Sequence, residues 1–181
     1  MGPARLASLL GEFVVDSEAK VLDVGCGISS VLLFLPGHRY GIDPLADRYR
    51  EIHDFPSEID IRAGYGESIP YEDERFDLVT CSNCIDHTQS PTEVVREFGR
   101  VLKPGGWLIL TCEVYGKDLG RRNVGHPHSM TEERLLGLLK DFELVEHWSS
   151  PWPGLTRHLQ GRPPTQQIEH ILLARSRADK H

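Results

Sequence analysis

The chain has 181 residues, 39% of them hydrophobic and 26% charged, with a formal net charge of −7. That length supports one domain with a substantial core, 1–181, and excludes two full ones, while the composition is that of a folded rather than a disordered protein. The acidic balance argues against a phosphate-tracking surface and so against a nucleic-acid partner. No apolar run approaches the ~18 residues that span a bilayer, and Met1-Gly2-Pro3-Ala4-Arg5 lacks the apolar core of a secretion signal, so a cytoplasmic protein without membrane attachment is expected.

Ala4 to Glu12 has helix-forming composition, with Leu6, Leu9 and Leu10 on one side, and belongs to an N-terminal cover, 1–18. Val21 to Val24 is the first strand and runs into a glycine turn, after which Ser29 or Ser30 caps a short helix through Leu35, stopped by Pro36-Gly37. Arg39 to Ile42 is the second strand, Ala46 to His53 a helix, and Ile59 to Arg62 a brief third strand. Phe76 to Ser82 is the fourth. Ser90 and Pro91 open a helix through Val101 that buries Val94, Val95 and Phe98. Lys103-Pro104-Gly105-Gly106 then turns into the fifth strand. Thr131-Glu132-Glu133-Arg134 starts a helix whose apolar face is Leu135, Leu136, Leu138 and Leu139, and Leu144 to His147 and Ile168 to Ala174 are the last two strands. Such alternation indicates an α/β fold with a parallel sheet covered on both faces. Two stretches, Tyr115 to Met130 and Ser149 to Gln167, exceed the usual ~4–6-residue connection, as loops that carry specificity or are disordered do.

The turn Val21-Leu22-Asp23-Val24-Gly25-Cys26-Gly27-Ile28-Ser29 sets an acid immediately before its glycines. A dinucleotide pyrophosphate would be repelled by Asp23, and the third glycine of that fingerprint is replaced by Ser30, so NAD fits poorly. S-adenosylmethionine reverses the charge logic, because an ammonium and a sulfonium lie at its methionine end. Asp43, at the end of the second strand and near the ~20-residue interval after the glycines, suits the ribose hydroxyls.

Four segments in order, the glycine turn, Gly66-Glu67-Ser68-Ile69-Pro70-Tyr71, Arg75-Phe76-Asp77-Leu78-Val79 and Arg100 to Leu110, together resemble the class I S-adenosylmethionine-dependent methyltransferases over Lys20 to Glu113. The resemblance implies a Rossmann-like doubly wound sheet of seven strands in order 3-2-1-4-5-7-6, with the last antiparallel. It implies a cofactor-binding core, 19–113, and an acceptor side, 114–181. It also implies S-adenosylmethionine as methyl donor. Asp23 and the backbone of Gly25, Cys26 and Gly27 would serve the methionine end, Asp43 the ribose, and Gly66 and Glu67 the adenine, with Ser82 and Asn83 across the crevice. Tyr65 stands where many relatives carry an aspartate facing the adenine amine. It is expected either to stack on the ring or to leave recognition to the backbone.

In-line methyl transfer needs alignment above all, but a hydroxyl acceptor benefits from a base. His87 after the fourth strand, and His126 and His128 in the loop after the fifth, are the candidates, each with a structural alternative as a backbone-bonded or helix-capping residue. Cys81-x-x-Cys84 has redox or zinc spacing, with Cys26 and Cys112 on neighbouring strands, but no second tight ligand pair follows, so buried thiols are expected and no metal is assigned. Trp107 is expected in the core, whereas Trp152 between two prolines could wall a pocket. Arg157, His158 and Arg162, in a stretch without acids, could face an anionic acceptor. The expected partner is a small-molecule acceptor, a homodimer is possible, and the alternative to an enzyme is an inactive cofactor-binding subunit or sensor.

Overall fold

The computed structural model describes residues 17–28, 30–115, 125–150 and 167–177, apart from the side chains of 150 and 167–169. The helix expected over Ala4 to Glu12, the cap Ser29, and Trp152, Arg157, His158 and Arg162 lie outside the described residues.

Seven strands form one sheet: β1 (Lys20–Val24), β2 (His38–Ile42), β3 (Ile59–Arg62), β4 (Phe76–Ser82), β5 (Leu102–Tyr115), β6 (Phe142–Ser150) and β7 (Gln167–Ser176). Their order is β3-β2-β1-β4-β5-β7-β6, as the resemblance implies. The pairs β1–β2, β2–β3, β1–β4 and β4–β5 are parallel, while β7 inserts antiparallel between β5 and β6.

Successive strand residues point to opposite faces, and the apolar runs split accordingly. Leu22, Leu108, Leu110 and Leu172 join one core with Val94, Phe98 and Leu135, whereas Val21, Ile109 and Leu173 join a second with Leu32 and Ala46. The helices are α1 (Ala46–Tyr49), α2 (Pro91–Val101) and α3 (Glu132–Leu138). The Ser90 hydroxyl accepts from Glu93 N–H and Pro91 occupies the first turn of α2, where a missing N–H costs nothing. Thr131 caps α3 by accepting from Arg134 N–H.

Three local expectations change. The segment after the glycine turn is a 3-10 helix, Val31–Phe34, because Ser30, its cap, is drawn toward Asp23. Helix α1 ends at Tyr49 rather than His53, continuing only as turns through the bonds of Ile52 and His53 N–H to Tyr49 C=O. Lys103 to Gly106 does not precede β5 but bulges within it, with Phe76 opposite Leu102 and Leu78 already opposite Trp107. There Lys103 Nζ is 2.6 Å from Asp77 Oδ1.

Charge also builds the scaffold. Glu97 is buried on α2, where it accepts from Ile69 N–H and pairs bidentately with Arg100 at 2.7 and 2.9 Å. Arg100 donates in turn to the carbonyls of Ile69 and Tyr71 and to Asp73. The segment from Gly64 to Tyr71 is thereby fastened to α2. Arg100→Ala strands the buried Glu97 carboxylate, and a loss of about 2–4 kcal/mol is expected in chemical denaturation, with Arg100→Lys recovering only part of it because one ammonium cannot serve the fork.

No helix among the described residues is long and apolar enough to cross a membrane.

Candidate active site

All the parallel strands deliver their carboxyl ends to one edge, and the strand order reverses between β1 and β4, which opens the ligand crevice of such sheets. Gly25 and Gly27 form the turn there with φ of +74° and +54°. Left-handed φ favours glycine, and Gly25 has a second constraint, since a Cβ on it would lie 2.4 Å from Cys84 Sγ. Cys84 Sγ itself donates to Val24 C=O, so the end of β4 braces the turn. Gly25→Ala is therefore expected to lower thermal stability by several degrees and to weaken cofactor binding together; scanning calorimetry and a binding titration check both.

Asp43 fixes the other side of the turn. Its Oδ2 accepts from Gly27 N–H at 3.1 Å and its Oδ1 from Leu45 N–H at 2.8 Å. Each carboxylate oxygen retains acceptor capacity, which suits a pair of vicinal hydroxyls. The backbone amides of Gly25 and Cys26 both bond Ile42 C=O, so β1 and β2 hold the turn as one unit.

Asp23 lies beneath this surface, 2% exposed. Ser30 Oγ donates to its Oδ2 at 2.6 Å and Thr80 Oγ1 to its Oδ1 at 2.7 Å. Burial pushes its pKa up to about 6, against the opposing pull of those two hydroxyls. Asp23 is thus a buried, hydroxyl-held acid beneath the crevice rather than an exposed contact. Cys26 is buried between β1 and β2, with its sulfur close to Gly41, and contributes only its backbone to the turn's surface.

Across the crevice Ser82 and Asn83 are exposed at the end of β4. Ser82 Oγ is 3.2 Å from Thr111 Oγ1, and Asn83, at φ +53°, donates its N–H to Thr111 C=O and accepts from Glu113 N–H through Oδ1. Gly66 is buried between Val24 and Val94. Glu67 Oε1 accepts from Gln89 and Ser90 N–H at 2.7 and 3.1 Å, so its side chain ties the segment from Gly64 to Tyr71 to the start of α2. Tyr65 is 58% exposed, with its ring available to a ligand.

The three candidate histidines separate into two roles. A 3-10 turn, Ile85–His87, carries Asp86 and His87 beyond β4, and His126 returns to it after β5: His126 Nδ1 is 2.6 Å from Asp86 Oδ2, and the His87 and His126 rings lie 4.3 Å apart. Asp86 is buried, whereas both histidines are partly open. His128 faces the Thr88 and Gln89 carbonyls through Nε2 and the Arg134 guanidinium through Nδ1. Carbonyls only accept and guanidinium only donates, so both ring nitrogens are occupied in fastening the loop. Asp86 stands next to His87 in the sequence, but nothing in the spacing links it to His126, 40 positions on.

Of the cysteines, Cys81 and Cys84 bring their sulfurs within 3.0 Å of each other, while Cys26 packs in the other core from Cys112. Metal-compatible spacing falls elsewhere, on Asp86, His87 and His126 and on Glu132, His147 and His170. In the second group His147 Nε2 is 2.7 Å from His170 Nδ1, and burial pushes the His170 pKa down. Trp107 is half-buried, with the Arg175 guanidinium 4.3 Å over its ring, rather than enclosed in the core.

The family described as "Methyltransferase domain" matches residues 22–110. The ubiquinone biosynthesis O-methyltransferase of Pseudomonas putida is 39% identical over 121 residues, covering 61% of this chain and 51% of that protein. Among solved structures, the [4+2]-cyclase SpnF is 25% identical, with a TM-score of 0.74 over 97% of this chain and 81% of its own. The geranyl diphosphate C-methyltransferase of Streptomyces coelicolor A3(2), solved with Mg2+, geranyl diphosphate and S-adenosyl-L-homocysteine, shares the fold at 12% identity, with a TM-score of 0.71 over 96% of this chain and 78% of its own. The chain spans only 19–51% of the length of the curated relatives it matches. The family match runs from Leu22 in β1 to Leu110 in β5, and together with the sheet order β3-β2-β1-β4-β5-β7-β6 it supports a methyltransferase domain of class I fold.

Proposed function

We propose that the chain binds S-adenosylmethionine in the β1–β4 crevice and transfers its methyl group to an oxygen of a small molecule held by the loops beyond β4 and β5. The cofactor supplies a methyl group on a sulfonium, a leaving group good enough that alignment provides much of the acceleration. The observation that carries the reading is the coupling of the Gly25–Gly27 turn to Asp43. That single carboxylate orients Gly27 N–H and still has lone pairs for two ribose hydroxyls. Asp23 contributes a buried negative charge beneath the turn, the sign that favours an ammonium. Tyr65, in place of an acid, would cover the adenine with its ring.

Asp86 and His126 serve the acceptor. Asp86 orients the imidazole through Nδ1, which turns Nε2 toward the acceptor as the proton-accepting atom. The bond made joins acceptor oxygen to methyl carbon; the bond broken joins that carbon to sulfur, which keeps the electron pair, and the acceptor proton passes to His126. His128 positions the loop that carries His126. An oxygen acceptor has support from the O-methyltransferase relative.

Incubation with S-adenosylmethionine labelled in the methyl group and a metabolite extract should give label in a small-molecule fraction. His126→Ala should lower that transfer by about 100-fold or more while leaving cofactor affinity unchanged. Binding without any label transfer would refute the enzyme reading and favour the sensor alternative.

A further inference from the structure

Asp86 is buried, and its Oδ2 is taken by His126, yet its Oδ1 lies in the protein without a hydrogen bond. His87 Nε2 stands 3.8 Å from that oxygen, beyond hydrogen-bond length. A buried carboxylate oxygen left unbonded is destabilising, and a pure Asp–His pair does nothing to offset that. One ligand atom from each of Asp86, His87 and His126 falls within 4.8 Å of the other two. Around an ion with bonds of ~2.0–2.2 Å, ligand atoms lie about 3 Å apart, so modest rotation of the two partly exposed imidazoles gathers the set.

We propose that Asp86, His87 and His126 bind a divalent first-row transition-metal ion, and that the acceptor is a small molecule that chelates this ion through two adjacent oxygens. Two imidazoles and one carboxylate are a donor set for iron, cobalt, nickel or zinc rather than magnesium or calcium, which take oxygen donors. Three protein ligands leave coordination positions open, and the exposure of His87 and His126 puts those positions toward solvent, where an acceptor arrives. The site follows directly on the residue that braces the glycine turn: Asp86 lies two residues beyond Cys84, whose sulfur donates to Val24 C=O.

The proposal rests on the methyltransferase reading for its acceptor and not for its metal. With the ion in place, the acceptor hydroxyl is acidified by coordination, its proton leaves to water, and the oxygen lone pair forms the new bond to the methyl carbon as the carbon–sulfur bond breaks. In the ion-loaded protein His126 is a ligand, whereas in the ion-free protein it keeps the proton-accepting role beside Asp86. The second group, Glu132 with His147 and His170, is a weaker claim on an ion, since its two histidines already satisfy each other.

Chelator-stripped full-length protein titrated with Co2+, followed by visible absorption and by metal content after gel filtration, tests the site. About one ion per chain is expected, with affinity falling on the order of 100-fold in His87→Ala and in His126→Ala. His147→Ala should bind as wild type. His87 is exposed enough that its alanine variant should fold, which circular dichroism checks. Catechol should perturb the cobalt spectrum and phenol, with one oxygen, should not. No stoichiometric binding, binding indifferent to His87→Ala and His126→Ala, or loss only in His147→Ala would overturn the proposal; a catechol-insensitive spectrum would overturn its acceptor class. Cofactor binding and methyl transfer by metal-free protein would leave the methyltransferase reading standing without the metal. Cobalt binding without methyl transfer would do the reverse.

Discussion

Asp43→Ala is expected to weaken binding of S-adenosylmethionine and of its demethylated product by two orders of magnitude or more. The variant loses the charged acceptor proposed for the ribose hydroxyls, where each hydrogen bond to a charged group is worth about 1.5–3 kcal/mol. It also releases Gly27 N–H, which ties the glycine turn to the end of β2, and Leu45 N–H, which opens α1. Asp43→Asn separates these effects. Its amide oxygen can still accept one of the backbone bonds, so an intermediate loss is expected, with the fold retained. Titration calorimetry on the three proteins, beside thermal melts, reads both quantities.

Asp23→Asn is expected to move stability and binding in opposite directions. Burial raises the folded-state pKa of Asp23 from 3.8 to about 6. An acid with a raised folded pKa holds its proton more tightly in the native than in the unfolded state, so its effect on stability is most favourable below about pH 4. That contribution is lost as pH climbs toward 6 and stays lost above it, a penalty of roughly 2–3 kcal/mol at most. The Asp23→Asn protein, neutral at this position throughout, should therefore melt several degrees higher than wild type at pH 7.5 and about level with it at pH 4, as Ser30 and Thr80 rotate their hydroxyls to the amide. Cofactor affinity should fall by about tenfold at pH 7.5, because the charge that favours the ammonium is gone. Wild-type affinity should itself decline as pH drops through 6, and the variant should show a flatter profile over that range. A variant that is less stable than wild type at pH 7.5, or whose affinity is unchanged there, contradicts the assignment of Asp23 as a buried cost kept for binding.

These two acids mark how far the sequence can be read. Asp23 and Asp43 are legible because each ends or precedes a short apolar run, and the spacing between them is one βαβ step. The strands β1 to β5 are legible for the same reason, since each is an apolar run bounded by glycine, proline or charge. Burial is not. Nothing in Val21 to Ser29 says that Asp23 faces inward to Thr80, because β4 begins more than fifty residues later and the pairing of β1 with β4 is a property of the folded sheet. The same limit applies to Glu97, a charged residue on an otherwise amphipathic helix, whose burial depends on the backbone of Ile69 and the fork of Arg100.

On the acceptor side the sequence offers three equivalent histidines. Only tertiary contact separates His126, held by the buried Asp86, from His128, whose ring joins the Thr88 and Gln89 carbonyls to Arg134. Cys81-x-x-Cys84 has metal-ligand spacing in the sequence, and a strand ending in a turn does bring those sulfurs together beside Gly25, while the nitrogen and oxygen donors of the proposed site converge a few residues further along. Lys103 to Gly106 reads as a turn because proline and glycine usually break strands, yet β5 tolerates them as a bulge secured by Lys103 to Asp77.

The crevice formed by the Gly25–Gly27 turn and Asp43 is proposed to bind S-adenosylmethionine. Calorimetric titration of the purified chain with S-adenosylhomocysteine at pH 7.5, in parallel with Asp43→Ala, tests it most directly. One-to-one binding that is lost or weakened by two orders of magnitude in the variant is the predicted result. No heat of binding in the folded wild type, or equal affinity in a folded Asp43→Ala protein, would contradict it.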